Sequence, residues 1–92
     1  MSGARLFLEM KVNLLFFGAT ADSVGKRDVA LEIPDGADSK TVLDLIFEEF
    51  PALSANHKRE SLHFSINQEY SKGNEIIRDG DELAVFTAVS GG

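Results

Sequence analysis

The residues with the clearest potential for chemistry are the two glycines that end the chain, Gly91 and Gly92. Neither has a Cβ atom, so the main chain is thin and the terminal carbonyl carbon is open to attack. Four extended residues reach about 13 Å, far enough to enter a narrow channel in another protein. The pair therefore predicts a Gly92 carboxyl group that is activated inside a partner's active site. The alternative is a chain end without function, and spacing alone favours neither.

Other candidate groups indicate no catalytic site of the chain's own. We expect His57 and His63, one in a loop and one on the outward side of a strand, to be solvated polar residues rather than metal ligands. Asp79, Asp81 and Glu82 look like a paired-acid site, but their Asp-Gly-Asp context favours a turn. The absence of cysteine excludes disulfides, thiolate metal ligands and a cysteine nucleophile. Nucleophile elbows, Walker loops and dinucleotide-binding glycine motifs are also missing.

Composition and charge narrow the class of partner. The 92 residues fit one domain, and 43% hydrophobic residues with a net charge of -6 indicate a folded acidic protein. Acidic surfaces repel phosphate backbones, so we expect no nucleic-acid partner; a basic groove on another protein fits better. The alternative is that the acidity serves solubility only. Neither a membrane-spanning run nor a signal peptide is recognisable, so we expect a cytoplasmic protein without membrane contact.

Strict alternation over residues 6–17 predicts a first strand whose even-numbered residues face the core. This strand is long, so residues 1–9 are either an extension or its beginning, and the domain proper spans 10–92 with a tail at 88–92. The segment 18–26 is typical of a loop with room for one helical turn. A second strand, carrying Val29, Leu31 and Ile33, closes a hairpin.

The rest of the chain supplies one main helix and further strands. Asp38 or Ser39 is a suitable cap for a helix that runs to about Phe50, where Pro51 stops it. We predict a polar loop over 52–60, a third strand from Leu62, and a final strand over 83–87. One helix between strand pairs must cover one sheet face. The order predicts an α+β protein of the β-grasp type, with a mixed four- to five-stranded sheet and the last strand beside the first.

This arrangement predicts an apolar patch near the start of the tail. If even-numbered residues of the first strand face the helix, Leu15 and Phe17 lie on the open face. In the last strand Ala84 and Phe86 turn the same way. Exposed apolar patches with aromatic residues usually mark interfaces, so we expect a partner to bind there. The alternatives are that loop residues cover the patch or that it is a crystal or dimer contact.

Four stretches carry a family resemblance: KVNLLFFG at 11–18, INQEY at 66–70, DGDELAVF at 79–86 and VSGG at 89–92. Together they resemble the small subunit of molybdopterin synthase, the MoaD family of the MoaD/ThiS superfamily. The resemblance covers the chain from about Met10 to Gly92 and implies a ubiquitin-like β-grasp fold. It also implies a carrier rather than a catalyst acting alone.

The resemblance implies specific roles for the tail and the patch. Gly92 would be adenylated and then converted to a thiocarboxylate that donates sulfur to the pterin precursor of molybdenum cofactor, and Gly91 would let the tail pass. Val89 and Ser90 would enter the partner with the tail. Leu15 would bind the partner beside the positions at which the family makes hydrophobic contacts. Those positions are matched by three aromatic residues, Phe17, Tyr70 and Phe86.

The implied partners are a large synthase subunit (MoaE-like) and an E1-like adenylating enzyme (MoeB-like). No cofactor or metal would be bound permanently, and ATP would be used by the activating enzyme. The sequence departs from the family at Thr87 and Ala88, where two prolines are common. Proline would stiffen the start of the tail, so the departure bears on partner identity and leaves the glycines untouched.

Three other functions remain open on the sequence alone. The first is a related sulfur carrier for thiamin synthesis or tRNA thiolation. The second is a ubiquitin-like protein modifier, joined to lysines through Gly92. The third is a passive interaction domain whose tail has no chemistry, which deletion of Gly91 and Gly92 would leave functional.

Overall fold

The structure, a computed structural model, describes residues 9–87, and the predicted site residues Val89, Ser90, Gly91 and Gly92 lie outside them. The elements in chain order are β1 (Glu9–Phe16), α1 (Ala19–Val24), β2 (Asp28–Pro34), α2 (Ser39–Glu49), α3 (Pro51–Asn56), a 3-10 turn (Arg59–Ser61), β3 (Leu62–Ile66), β4 (Glu69–Tyr70) and β5 (Glu82–Thr87). Among these, no helix has the length and apolar character needed to cross a membrane.

The five strands form one mixed sheet in the order β2-β1-β5-β3-β4. Strands β1 and β5 are parallel, with Leu15 opposite Ala84, and the other neighbouring pairs are antiparallel. A parallel pair needs a crossover connection, which the helices between β2 and β3 supply. The last strand therefore lies beside the first, as the β-grasp prediction requires, and the fold class is confirmed.

Strand β1 shows why one sheet face becomes the core. Met10, Val12, Leu14 and Phe16 are buried, while Lys11 and Asn13 are exposed and Leu15 is half-buried. Side chains alternate between the two faces of a strand, so the period-2 pattern of the sequence sends every second residue toward the helices. The predicted start of this strand at residues 6–8 lies outside the described part of the chain.

Helix α2 covers the centre of that face. Its N-cap is Asp38, whose carboxylate accepts a hydrogen bond of 2.8 Å from the Thr41 backbone N–H. Val42 and Ile46, four residues apart, are completely buried against the sheet. Phe50, just past the helix, packs edge-on against Phe16 with ring centroids 5.2 Å apart. These helices and the sheet form two layers around one core.

The predicted loop over 52–60 was wrong. Helix α2 does end at Glu49, but Pro51 opens a second helix of six residues rather than a loop. Proline has no N–H to donate and is therefore suited to the first position of a helix, where that donor would lack a partner. Leu53 provides the apolar contact that the polar context obscured, because it is completely buried in the core. A 3-10 turn then leads into β3.

Candidate docking surface on the open sheet face

The tail that carries the predicted chemistry continues from the centre of the sheet. Strand β5 is hydrogen-bonded between β1 and β3 and is described up to Thr87. Its position is set by two ladders, so the point where residues 88–92 begin is fixed relative to both neighbouring strands. Any protein that takes up the tail must therefore approach the end of β5.

An apolar groove lies on the open face of the sheet next to this point. Leu15, Phe17, Ala84 and Phe86 line a groove of about 640 Å³. Phe17 is 52% exposed, which is unusual for a large apolar side chain. The structure thus places the predicted residues Leu15, Phe17 and Phe86 together. Their role in binding a partner stays a prediction.

Ala84 was expected to point outward, and it does lie on the open face, yet it is only 7% exposed. Its strand neighbours in register are Leu15 on β1 and Ser65 on β3. Larger residues on both sides cover a methyl group, so Ala84 forms the floor of the groove. The aromatic rings stand above it as walls.

A cluster of three rings extends the groove toward β4. The ring centroids of Tyr70, His63 and Phe86 lie 5.5 to 5.8 Å apart, and Tyr70 is 68% exposed. Tyr70 was predicted as a contact residue. His63 was predicted only to face outward, and its place among the rings was missed. Register explains the omission, because His63 lies opposite Phe86 only once β3 and β5 are paired antiparallel.

Thr20 holds the end of β1 and the end of β5 together beneath the groove. Its hydroxyl oxygen lies 2.8 Å from the carbonyl oxygens of both Val85 and Phe17, and accepts a hydrogen bond of 3.1 Å from the Phe17 N–H. The side chain is completely buried at the start of α1. A short helix thereby sets where Phe17 stands relative to the last strand.

The short strand β4, which carries Tyr70, is held by the loop that follows it. The Glu75 carboxylate accepts hydrogen bonds from the Lys72 N–H and from the hydroxyls of Ser71 and Ser39, each at 2.7 to 2.8 Å. The Lys72 N–H first, and then the Ser71 hydroxyl, lower the pKa of Glu75 to about 2. This carboxylate therefore ties the loop to the first turn of α2.

The acidic residues near β5 form a turn, as predicted. Asp79 accepts from the Lys11 N–H at 2.9 Å, and Asp81 accepts from the Arg78 N–H at 2.8 Å and from the Asn67 side chain at 3.0 Å. The contacts to Lys11 and Arg78 position the main chain, and the contact to Asn67 joins two side chains. In the described part of the chain, no group of three or more potential ligands is placed to hold a metal ion.

His57 and Ser23 form a hydrogen-bonded pair. The Ser23 hydroxyl oxygen lies 2.8 Å from His57 Nε2 and 3.0 Å from the Ala19 carbonyl oxygen. Which of the two side chains donates to the other depends on the tautomer of the ring. The pair links α1 to the end of α3, and His57 is half-buried rather than solvated.

The mixed five-stranded sheet, the main helix on one face and the central last strand define a ubiquitin-like β-grasp protein. The solved structure of SAMP1 from Haloferax volcanii has this fold, with a TM-score of 0.75 and 27% identity, covering 89% of this chain and 99% of that chain. The family model described as the ThiS family matches residues 14–92. The chain therefore belongs to the ThiS family, and the predicted MoaD/ThiS resemblance is confirmed.

Two further proteins are similar to this chain. A protein of Chlamydomonas reinhardtii named molybdopterin synthase sulfur carrier subunit is 33% identical over 85 residues, covering 90% of this chain and all of that protein. A Helicobacter pylori structure of a complex of subunits 1 and 2 of molybdopterin-converting factor matches with a TM-score of 0.63 and 23% identity, covering 90% of this chain and 100% of that chain. At 23% identity, the similarity to the H. pylori structure shows a shared fold only.

Proposed function

We propose that this protein is the sulfur-carrier subunit of a molybdopterin synthase. The observation that carries the proposal is the end-to-end match with the sulfur carrier subunit of Chlamydomonas reinhardtii, of which no part is left uncovered. The family model also extends to residue 92, so the terminal glycines are part of the match. The name of this relative favours a molybdopterin synthase subunit over a thiamin or tRNA sulfur carrier.

The reacting group is the carboxylate of Gly92. A carboxylate oxygen attacks the α-phosphorus of ATP on an activating enzyme, pyrophosphate leaves, and an acyl adenylate forms. A sulfur donor then attacks the acyl carbon and AMP leaves, which gives a thiocarboxylate. The thiocarboxylate sulfur then bonds to a carbon of the pterin precursor as an oxygen substituent leaves that carbon, and water cleaves the acyl C–S bond, so the sulfur stays on the pterin and the Gly92 carboxylate is regenerated. Gly91 and Gly92 carry no side chains, so neither the adenylation site nor the synthase channel has to accommodate one.

These partners bind to the open face of the sheet. Phe17, Tyr70 and Phe86 are exposed or half-exposed aromatic side chains around a groove, and such residues often contribute most of a binding energy. The groove lies beside the strand from which the tail leaves. A partner that grips it holds the Gly92 sulfur close to the substrate, which makes the transfer effectively intramolecular. The name of the C. reinhardtii relative, a subunit of molybdopterin synthase, supports a large synthase subunit as one such partner.

Intact-mass analysis tests this function. The full chain is incubated with a purified E1-like adenylating enzyme, ATP and a sulfide donor, and we expect a mass gain equal to the difference between sulfur and oxygen. Loading should require ATP and should be absent from a variant that lacks Gly91 and Gly92. The loaded chain, mixed with the large subunit, should convert the pterin precursor. Unchanged mass, or Gly-Gly remnants on lysines of other proteins instead, would contradict the proposal.

A further inference from the structure

Two carboxylates border the apolar groove on its open face. Asp28 lies directly opposite Leu15 in the β1–β2 pair, and Glu82 lies opposite Asn13 in the β1–β5 pair. Residues directly opposite each other on neighbouring strands share a face of the sheet, so both side chains rise on the same side as Leu15. Asp28 is exposed, and Glu82 lines the groove itself.

Neither carboxylate lies opposite a cation in these two strand pairs, although Arg27 precedes Asp28 in the chain. A third carboxylate of this face, Glu32, lies opposite Lys11 across the hairpin. The corresponding partners of Asp28 and Glu82 are the uncharged residues Leu15 and Asn13. Within residues 9–87 the single ion pair is Arg59 with Asp44, which joins the 3-10 turn to α2. The groove therefore has a negative border beside an apolar floor.

The register also sets how far apart the two charges stand. Asp28 and Glu82 lie two strands apart across the sheet and about two residues apart along it. Strand spacings of about 4.8 Å and rises of about 3.3 Å per residue put their Cα atoms about 12 Å from each other. Leu15 lies between them. An apolar side chain seated on Leu15 and Ala84 would have a carboxylate to either side.

We propose that the docking surface selects a partner surface in which an apolar side chain is flanked by lysine or arginine residues, and that Asp28 and Glu82 are the charges that determine this specificity. The inference rests on the proposed function and names the chemistry that the large synthase subunit presents to the carrier. Charges at the border of an interface act chiefly on the association rate and on the choice of partner.

The net charge of the protein offers a competing explanation, because a chain of charge -6 is drawn to any basic protein. A matched control separates the two. Asp28→Lys with Glu82→Lys changes the net charge by as much as Glu48→Lys with Glu49→Lys. The control residues are exposed on α2, which covers the opposite face of the sheet. Only the first pair borders the groove.

The experiment measures association and dissociation rates of the full chain with the purified large subunit. At about 0.01 M salt we expect the Asp28/Glu82 double variant to associate about tenfold more slowly than the unmodified chain, and the Glu48/Glu49 variant less than about threefold more slowly. Near 1 M salt the difference should fall within about twofold, since screening then acts over about 3 Å. Dissociation rates should change less than about twofold. Asp28→Asn with Glu82→Gln should give an intermediate association rate.

Equal slowing by both double variants would overturn the inference in favour of net charge, and so would a difference that persists at high salt. Circular dichroism and thermal unfolding of each variant confirm that it is folded before the rates are compared. If the unmodified chain binds neither the large subunit nor the adenylating enzyme, the proposed function fails and the inference with it. If it binds and is loaded with sulfur while the variants behave alike, only the inference fails.

Discussion

The Thr20 hydroxyl lies 2.8 Å from the carbonyl oxygen of Val85, a contact between residues 65 positions apart in the chain. It joins the first helix to the last strand at the level where Phe17 leaves β1. The Phe17 N–H donates to the same hydroxyl. One buried side chain thus sets the geometry of the docking groove next to the start of the tail.

Thr20→Val should lower the free energy of unfolding by about 1 kcal/mol, since the isosteric change removes a hydroxyl that hydrogen-bonds the buried Val85 carbonyl and the half-buried main chain of Phe17. Urea unfolding followed by circular dichroism measures this loss. Thr41→Val makes the same chemical change on an exposed residue of α2 and should cost less than about 0.5 kcal/mol. Equal effects of the two substitutions would show that the Thr20 hydroxyl contributes little.

Glu75 should make stability depend on pH. Its pKa is lowered from 4.5 to about 2 in the folded chain by the N–H and hydroxyl groups that it accepts from. The unfolded chain therefore binds more protons in this range, and the contribution of Glu75 is full above pH 4.5 and is lost as the pH falls toward 2. Glu75→Gln removes that contribution, so the stability difference between the two proteins should shrink over this window.

Urea unfolding at steps between pH 7 and pH 2.5 measures the difference. The pKa of Asp38 is also lowered, mainly by the Thr41 N–H, but Asp38 is present in both proteins and its effect cancels. Ser71→Ala removes one of the hydroxyl donors and should give a smaller effect of the same sign. A Glu75→Gln difference that stays constant from pH 7 to pH 2.5 would contradict the assignment.

The sheet and the main helix could be predicted because their signals are local. Alternation in β1 already separates Leu14 from Leu15, and Asp38 at the start of α2 is a common helix cap. Helix α3 could not be recognised in the same way. Its six residues contain one buried apolar side chain, Leu53. Pro51, its first residue, is as typical of the end of a preceding helix as of the beginning of a new one.

The docking surface was predictable only in part, because register decides which residues of different strands meet. The open-face positions of Leu15, Phe17 and Phe86 follow from alternation, while the stacking of His63 on Phe86 depends on antiparallel pairing. The contact between Ser23 and His57 joins residues 34 positions apart and has no local signal. The tail itself, at 88–92, is interpreted from its residue types.

Side chains at position 91 should slow sulfur loading in proportion to their size. Gly91→Ala, Gly91→Val and Gly91→Leu form a series, and the largest change should reduce the rate of thiocarboxylate formation at least about tenfold, since small displacements of a reacting group are costly. Affinity for the adenylating enzyme should change less than about threefold, because the groove residues are intact. Rapid-quench mass analysis gives the rate. Equal rates across the series would contradict a narrow passage for the tail.

Phe17→Ala should weaken binding to the large subunit without weakening the fold. A buried aromatic anchor contributes about 2 kcal/mol, which is about thirtyfold in Kd. Phe17 is 52% exposed in the free chain, so its removal should change the free energy of unfolding by less than about 1 kcal/mol. Titration calorimetry gives the affinity. Ile76→Ala is the matched control, since Ile76 is 56% exposed and lines a different surface groove with Met10 and Arg78. If both variants bind as the unmodified chain does, the open sheet face is not where the partner docks.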